Sequence, residues 1–166
     1  IYNRGDLTLS GVEINNNSAS GAGGAIYANG NNLILNVVDI INNSANGAGA
    51  GIYNNSINMS LQNILMHSNI AGGYGGAIYH NENTLSLTNV TISQNTAGYI
   101  NGIYVDDQDV NSISIMNSIL WDDSFFNSNT IIFYSNTLNN FSGEGNIGVD
   151  PQFIDPDNGD FALQST

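Results

Sequence analysis

The chain of 166 residues contains no cysteine, and its fourteen acidic residues face a single basic one, Arg4. Without cysteine it forms neither disulfide bonds nor thiolate metal sites. The formal charge of −13 excludes electrostatic binding of nucleic acid, which requires clustered Lys and Arg, and disfavours anionic membranes. No apolar run reaches the roughly 20 residues of a membrane helix. We therefore expect no nucleic-acid partner and no membrane insertion.

A repeat of 25 or 26 residues dominates what is present. An isoleucine followed by a tyrosine returns once per repeat, and an asparagine recurs at a spacing of 26 residues. These residues are Ile26, Ile52, Ile78 and Ile103; Tyr27, Tyr53, Tyr79 and Tyr104; and Asn17, Asn43, Asn69 and Asn95. A fixed period in this range indicates a solenoid in which each repeat forms one coil that stacks on the next.

Within each repeat, apolar residues alternate with polar ones as in β-strands. In the third repeat, Met59 and Leu61 form one pair, and Ile64 and Met66 form a second pair after a shift of one residue at Asn63. The shift allows both pairs to face the same interior on either side of a bend. A third strand is expected at the isoleucine and tyrosine, with isoleucine inward and tyrosine outward. Glycine-rich runs supply the remaining corner.

These patterns predict an all-β fold, a right-handed parallel β-helix of about five to six coils. We assign residues 1–135 to the coils and residues 136–166 to an irregular segment that packs on the last coil within the same domain. Parallel stacking places like residues above one another. The recurring asparagines, isoleucines and tyrosines are therefore expected to form structural ladders, and the asparagine amides to satisfy backbone groups in the turns.

Several segments resemble the right-handed parallel β-helix proteins of bacterial surfaces, of the polymorphic outer-membrane-protein type. Residues 76–97 are close throughout to the pattern that recurs in their coils, and residues 117–123 and 145–164 are similar to the terminal coils of secreted proteins with choice-of-anchor regions. The resemblance implies a secreted, cell-surface protein without shared catalytic machinery. Because that family usually has asparagine at the position of Asp123, the asparagine ladder is expected to end at an acid.

The repeat pattern is incomplete at the start, because the Gly-Gly-Ala that should precede Ile1 and Tyr2 is missing. An open first coil is expected. Three explanations stay open: a fragment, the continuation of a larger passenger, or subunits that stack end to end. The predicted partners are accordingly another copy or neighbouring coils of a longer chain, with surface glycans as a further class.

Catalysis is disfavoured by the residues at hand. Lyases of polysaccharides need a basic residue to abstract a proton, and the chain offers only Arg4. Paired carboxylates could serve a hydrolase, but Asp122 and Asp123 are adjacent, and neighbours on a strand point to opposite faces. We expect no catalytic residues and no organic cofactor.

Calcium is a weaker alternative, since hard cations bind clustered oxygens. Asp106, Asp107 and Asp109 are weak candidates in one turn, and Asp155, Asp157 and Asp160 fit a plain turn better. His67 and His80 lie in different repeats and are expected on the surface.

The sequence thus predicts a non-catalytic structural or adhesive module of a secreted bacterial cell-surface protein, with end-to-end stacking into extracellular filaments as one form. The alternative is a glycan-binding or polysaccharide-degrading β-helix protein.

Overall fold

The chain winds into a parallel β-solenoid. The structure, a computed structural model, describes residues 1–106, 112–126 and 129–165. Four complete coils each contain three strands: β1 (Tyr2–Asn3), β2 (Leu7–Asn15) and β3 (Ser18–Ala19); β4 (Ile26–Ala28), β5 (Asn32–Ile41) and β6 (Ser44–Ala45); β7 (Ile52–Asn54), β8 (Asn58–His67) and β9 (Ile70–Ala71); β10 (Ile78–His80), β11 (Thr84–Ser93) and β12 (Thr96–Ala97).

Two partial coils and a hairpin follow. The fifth coil contains β13 (Ile103–Val105), β14 (Ser112–Met116) and β15 (Ile119–Leu120), and the sixth contains β16 (Thr130–Phe133) and β17 (Asn136–Thr137). The last strands, β18 (Phe153–Asp155) and β19 (Asp160–Leu163), pair antiparallel around a 3₁₀ turn at Pro156–Asn158.

Three parallel sheets form the sides of the solenoid. Their strand orders are β1-β4-β7-β10-β13, β2-β5-β8-β11-β14-β16 with β15 and β17 alongside, and β3-β6-β9-β12. The predicted parallel β-solenoid class is confirmed. It has four complete coils instead of about five to six, because the described part of the fifth and sixth coils contributes no strand to the third sheet.

Like residues pair with like residues across the coils, as stacking requires. Leu35 pairs with Leu61, which pairs in turn with Leu87, and all three side chains are fully buried. Apolar side chains from the first two sheets fill the interior in this way, and burial of each such side chain stabilises the fold by about 1.5–3 kcal/mol. The core is therefore a stack of similar apolar layers.

Left-handed backbone conformations turn each coil at the shift in the apolar pattern. The residues there are Gly11, Val37, Asn63 and Asn89, with φ values of 65°, 55°, 54° and 56°. Glycine and asparagine adopt this conformation at little cost, whereas a β-branched residue such as Val37 is strained in it. The same bend is thus made by residues that differ in the conformational energy that the left-handed backbone costs them.

The two ends of the solenoid differ. In the first coil Val12 is 37% exposed, whereas its partner Val38 in the second coil is fully buried. At the other end, Asn146 accepts a hydrogen bond from the backbone N–H of Ser135 (3.0 Å) and donates to the carbonyl oxygen of Ile132 (2.8 Å). The first coil is therefore less enclosed than the coil that follows it, and Asn146 binds the backbone of the sixth coil.

The C-terminal hairpin of β18 and β19 lies against the side of the third and fourth coils. The Phe161 ring contacts the His67 ring, with centroids 4.8 Å apart, and Gln94 Nε2 donates to Asp157 Oδ1 (3.1 Å).

The predicted boundary between residues 135 and 136 falls between β16 and β17 and stays a prediction. Within the described ranges, no helix has the length and apolarity of a membrane span.

Candidate functional site

The asparagine ladder is confirmed and runs the length of the complete coils. Asn17, Asn43 and Asn69 each donate from the backbone N–H and the Nδ2 to the Oδ1 of the asparagine in the following coil. For Asn43 and Asn69 both distances are 3.0 Å. The Nδ2 also donates to a backbone carbonyl, as in Asn69 to Ile40 (2.9 Å). A buried turn is thereby satisfied by one side chain per coil.

The ladder ends at Asp122, so the expected position, Asp123, was wrong by one residue. Asp122 Oδ2 accepts from the backbone N–H (3.0 Å) and the Nδ2 (2.8 Å) of Asn95. Burial raises the pKa of Asp122 to about 6, although hydrogen bonds from Asn95 and from the Gln94 backbone act in the opposite direction. Asp123 accepts from the Asn101 backbone N–H instead (3.0 Å). The two carboxylates serve different groups and do not converge.

Tyrosine rings form a second ladder on the first sheet, outside the isoleucines. The isoleucines that precede them, Ile26, Ile52, Ile78 and Ile103, are fully buried. The rings of Tyr27, Tyr53 and Tyr79 stack with centroids 4.8 Å apart, and burial raises the pKa of Tyr53. Sugars stack on ring faces, but neighbouring rings occupy these faces. The tyrosine ladder is therefore a packing element with little room for a sugar.

Both histidines are buried, which contradicts their predicted surface position. His80 occupies the inward position of β10, level with Asn54 on β7, and its Nδ1 lies 3.0 Å from Asn54 Nδ2. Its Nε2 is buried without a hydrogen-bond partner within the described residues, and burial lowers its pKa to about 4. His67 lies under Phe161, and burial lowers its pKa as well. Sequence patterning missed His80 because its position holds Ala28 and Val105 in other coils.

The calcium candidates gain no support. Asp106 accepts a hydrogen bond from the Tyr79 hydroxyl (2.7 Å), while Asp107 and Asp109 lie outside the described residues, as does most of the turn that follows Val105. In the hairpin turn Asp155 accepts from Asn158 Nδ2 (2.8 Å). No group of three acidic or histidine side chains that could hold a metal ion occurs among residues 1–106, 112–126 and 129–165.

Two clefts lie between the last coils and the C-terminal segment. The first, of about 410 Å³, runs between the corner at Asn117 and Tyr134 and the segment around Val149. The second, of about 300 Å³, lies between the fourth and fifth coils and the hairpin. We name it the Trp121 cleft; its lining residues are Ser93, Gln94, Trp121, Asp150, Gln152, Phe153, Pro156 and Gln164.

The Trp121 cleft combines a buried interior with a polar, exposed margin. Ser93 and Phe153 are buried and Trp121 is half-buried, whereas the three glutamines and Asp150 are exposed. Sequence reasoning missed this site because nothing in the repeat pattern places the hairpin beside β11. The available signal was the tryptophan itself, the only one in the chain.

Comparison with known proteins identifies the type of repeat. The family model of the Chlamydia polymorphic membrane protein repeat matches residues 11–29, which run from the corner of β2 to the end of β4. The chain is a β-helix repeat protein similar to the polymorphic membrane proteins. The match covers less than one coil, and no curated protein and no solved structure matches the chain.

The polymorphic-membrane-protein-like repeat has two consequences for function. Proteins of this kind are associated with the bacterial surface or outer membrane, and their repeats are a generally non-enzymatic type. The repeat match therefore indicates a surface-associated bacterial protein built on a β-helix.

Proposed function

We propose that the chain is a non-catalytic structural and adhesive module of a secreted bacterial cell-surface protein. The observation that carries this proposal is the unbroken asparagine ladder from Asn17 to Asp122. A side chain that forms hydrogen bonds to the coils on both sides has a structural role, because it holds neighbouring coils together. Such a stack is a rigid scaffold that can present groups on its sides and at its ends.

A polysaccharide hydrolase is the weaker alternative. Retaining and inverting glycosidases both need two carboxyl groups that flank one bond, about 5–9.5 Å apart. The buried Asp122 ends the asparagine ladder, and Asp123 binds the Asn101 backbone. Because each is engaged in holding a different turn, this pair does not supply the required geometry.

The purified chain should release no reducing sugar from a panel of plant, animal and bacterial polysaccharides. Beads coated with it should adhere to animal or bacterial cells more strongly than beads coated with the acid-unfolded chain. Reproducible sugar release would refute the non-catalytic part of the proposal. Equal adhesion of folded and unfolded chain would refute the adhesive part.

Pairing between first coils is a second candidate, supported by the exposed apolar residues of β1 and β2. Ile1 is 51% and Tyr2 61% exposed, and Val12 is exposed at the edge of β2. Exposed strand edges of this kind are templates for pairing with another chain. We propose a second copy of this chain as the occupant.

Light scattering after size exclusion, together with electron microscopy, tests this pairing. The wild-type chain should form dimers at micromolar concentration, and Val12→Lys should return it to monomers, because an edge lysine opposes strand pairing. Gln62→Lys, at an exposed position on β8, is the matched control. A monomeric wild-type chain at all accessible concentrations would exclude this candidate.

A further inference from the structure

We propose that the Trp121 cleft binds a neutral hexose or N-acetylhexosamine unit of a surface glycan. This inference rests on the adhesive role proposed above and gives that role a ligand class. Four features of the cleft support it: its size, its unused hydrogen-bonding groups, its aromatic wall and its charge.

The size of the cleft suits one sugar unit. Its volume of about 300 Å³ lies at the lower limit of small-molecule sites, which span about 300–1,000 Å³. The wall on one side is the solenoid, at Ser93 and Trp121, and on the other the hairpin, at Phe153 and Pro156. A single ring fits between two such walls, with the rest of a glycan outside.

The margin offers amide groups that are held in place but not fully used. Gln94 Nε2 donates to Asp157 Oδ1 (3.1 Å), and Gln164 Nε2 donates to the carbonyl oxygen of Phe153 (3.0 Å). These bonds fix both side chains, and neither Oε1 has a partner within the described part of the chain. The Gln152 side chain is likewise unpaired among described residues. The two fixed Oε1 atoms accept hydrogen bonds, and the Gln152 amide both donates and accepts. Together they match the neighbouring hydroxyl groups of a sugar, which also donate and accept.

Trp121 supplies an aromatic face that other rings leave unoccupied. Within the described ranges it makes no ring contact, in contrast to the tyrosine ladder, where each ring covers the next. Trp121 is half-buried and lines the cleft. An aromatic ring in this position can pack against the apolar face of a pyranose.

Charge decides between neutral and acidic sugars. Asp150 contributes a carboxylate to the margin, and an ionised carboxylate accepts strong hydrogen bonds from hydroxyl groups. The only basic residue, Arg4, lies between β1 and β2 in the first coil, whereas the cleft begins at the fourth. A uronate or sialate would therefore meet a like charge without a compensating cation, on a chain of net charge −13. The cleft accordingly selects neutral units.

Because Trp121 is the only tryptophan, its fluorescence reports on the cleft directly. Titration with glucose, galactose, N-acetylglucosamine and N-acetylgalactosamine should give saturable changes in emission with at least one of them. Galacturonate and sialic acid should give none. Gln152→Ala keeps the fluorophore and should weaken binding about fivefold to tenfold, as expected for one lost hydrogen bond. Gln62→Ala, exposed on β8 in the third coil, should bind as the wild type does.

Calorimetry with Trp121→Ala provides a readout independent of emission. It should show binding at least about tenfold weaker, because aromatic anchors dominate such sites, while circular dichroism confirms that the solenoid is intact. If Trp121→Ala proves unfolded, Gln152→Ala together with Asp150→Ala, both at exposed positions, takes its place.

Three results would overturn the site: no neutral sugar alters Trp121 emission, acidic sugars bind more tightly than neutral ones, or Gln152→Ala binds as the wild type does. Coated beads that still adhere to cells while no sugar binds would refute the site and leave the adhesive role intact. Free sugar that binds while the beads fail to adhere would support the site and refute the adhesive role.

Discussion

Replacing Asp122 by asparagine should stabilise the solenoid at neutral pH. In the wild type a buried carboxylate ends the asparagine ladder and accepts two hydrogen bonds from Asn95. An asparagine would offer the same acceptor without the charge. Asn95 Nδ2 donates to the carbonyl oxygens of Met66 and Ser93, and the equivalent carbonyls for a side chain at position 122 belong to Ile92 and Leu120. The new Nδ2 group should therefore find partners too.

The magnitude follows from the pKa of Asp122. Burial raises this pKa from 3.8 to about 6 in the folded chain. A raised pKa means that the folded state holds the proton more tightly, so the contribution to stability is fully present below pH 3.8 and is lost as the pH rises through about 6. At about 1.4 kcal/mol per pH unit, the loss amounts to roughly 3 kcal/mol above that range. Asp122→Asn should recover that amount at pH 7.5 and only about 0.5 kcal/mol at pH 4.

Urea denaturation at pH 4, 5 and 7.5, followed by circular dichroism, measures this difference. Asp39→Asn is the matched control, because it removes the same charge from an exposed position on β5, where Asp39 lies beside Glu13, and reports the effect of removing a surface carboxylate. A variant less stable than wild type at pH 7.5 would contradict the reasoning, as would a gain that Asp39→Asn reproduces or that does not change with pH.

Other substitutions test other parts of the solenoid. Leu61→Asp should abolish the folded circular dichroism spectrum, since a buried unpaired charge costs several kcal/mol; an unchanged melting temperature would show that Leu61 does not point inward. Val37→Asn should raise the free energy of unfolding in urea by about 1 kcal/mol, because it relieves a β-branched residue at φ 55°, and a loss of stability would contradict this account. His80→Asn should remove an acid sensitivity of roughly 3 kcal/mol in the free energy of unfolding. The pKa of His80, lowered from 6.5 to about 4, contributes stability that is present above pH 6.5 and is lost as the pH falls through about 4. Wild-type and variant stabilities that change in parallel between pH 7 and 4 would refute this prediction.

Much of the fold could be predicted because each repeat restates the same constraints. The spacing of Met59, Leu61, Ile64 and Met66 places one strand on each side of a bend, and the structure buries all four side chains. The 26-residue spacing of the asparagines likewise predicts that their amides meet. Periodicity is informative here because stacking converts a spacing in sequence into a contact in space.

Features outside the repeat could not be predicted in the same way. His80 is buried although the period assigns no preferred residue type to its position. Ser118 and Ser135 replace the apolar residues that stand at the equivalent position in earlier coils. Ser118 Oγ accepts a hydrogen bond from the Val90 N–H (3.2 Å), and Ser135 Oγ accepts one from the Ser118 N–H (3.2 Å). The hairpin that forms the Trp121 cleft depends on contacts between distant segments, which no local pattern encodes.

The bonding pattern of the ladder bears on how such a module could change in length. Each internal asparagine supplies its own donors to one neighbour and its own acceptor to the other, as Asn43 and Asn69 do. A duplicated unit of 26 residues, inserted before Asn95, would leave every existing bond type in place and add about 4.8 Å of height. Copy number could thus vary in whole units, whereas an insertion of one or two residues would displace every side chain after it.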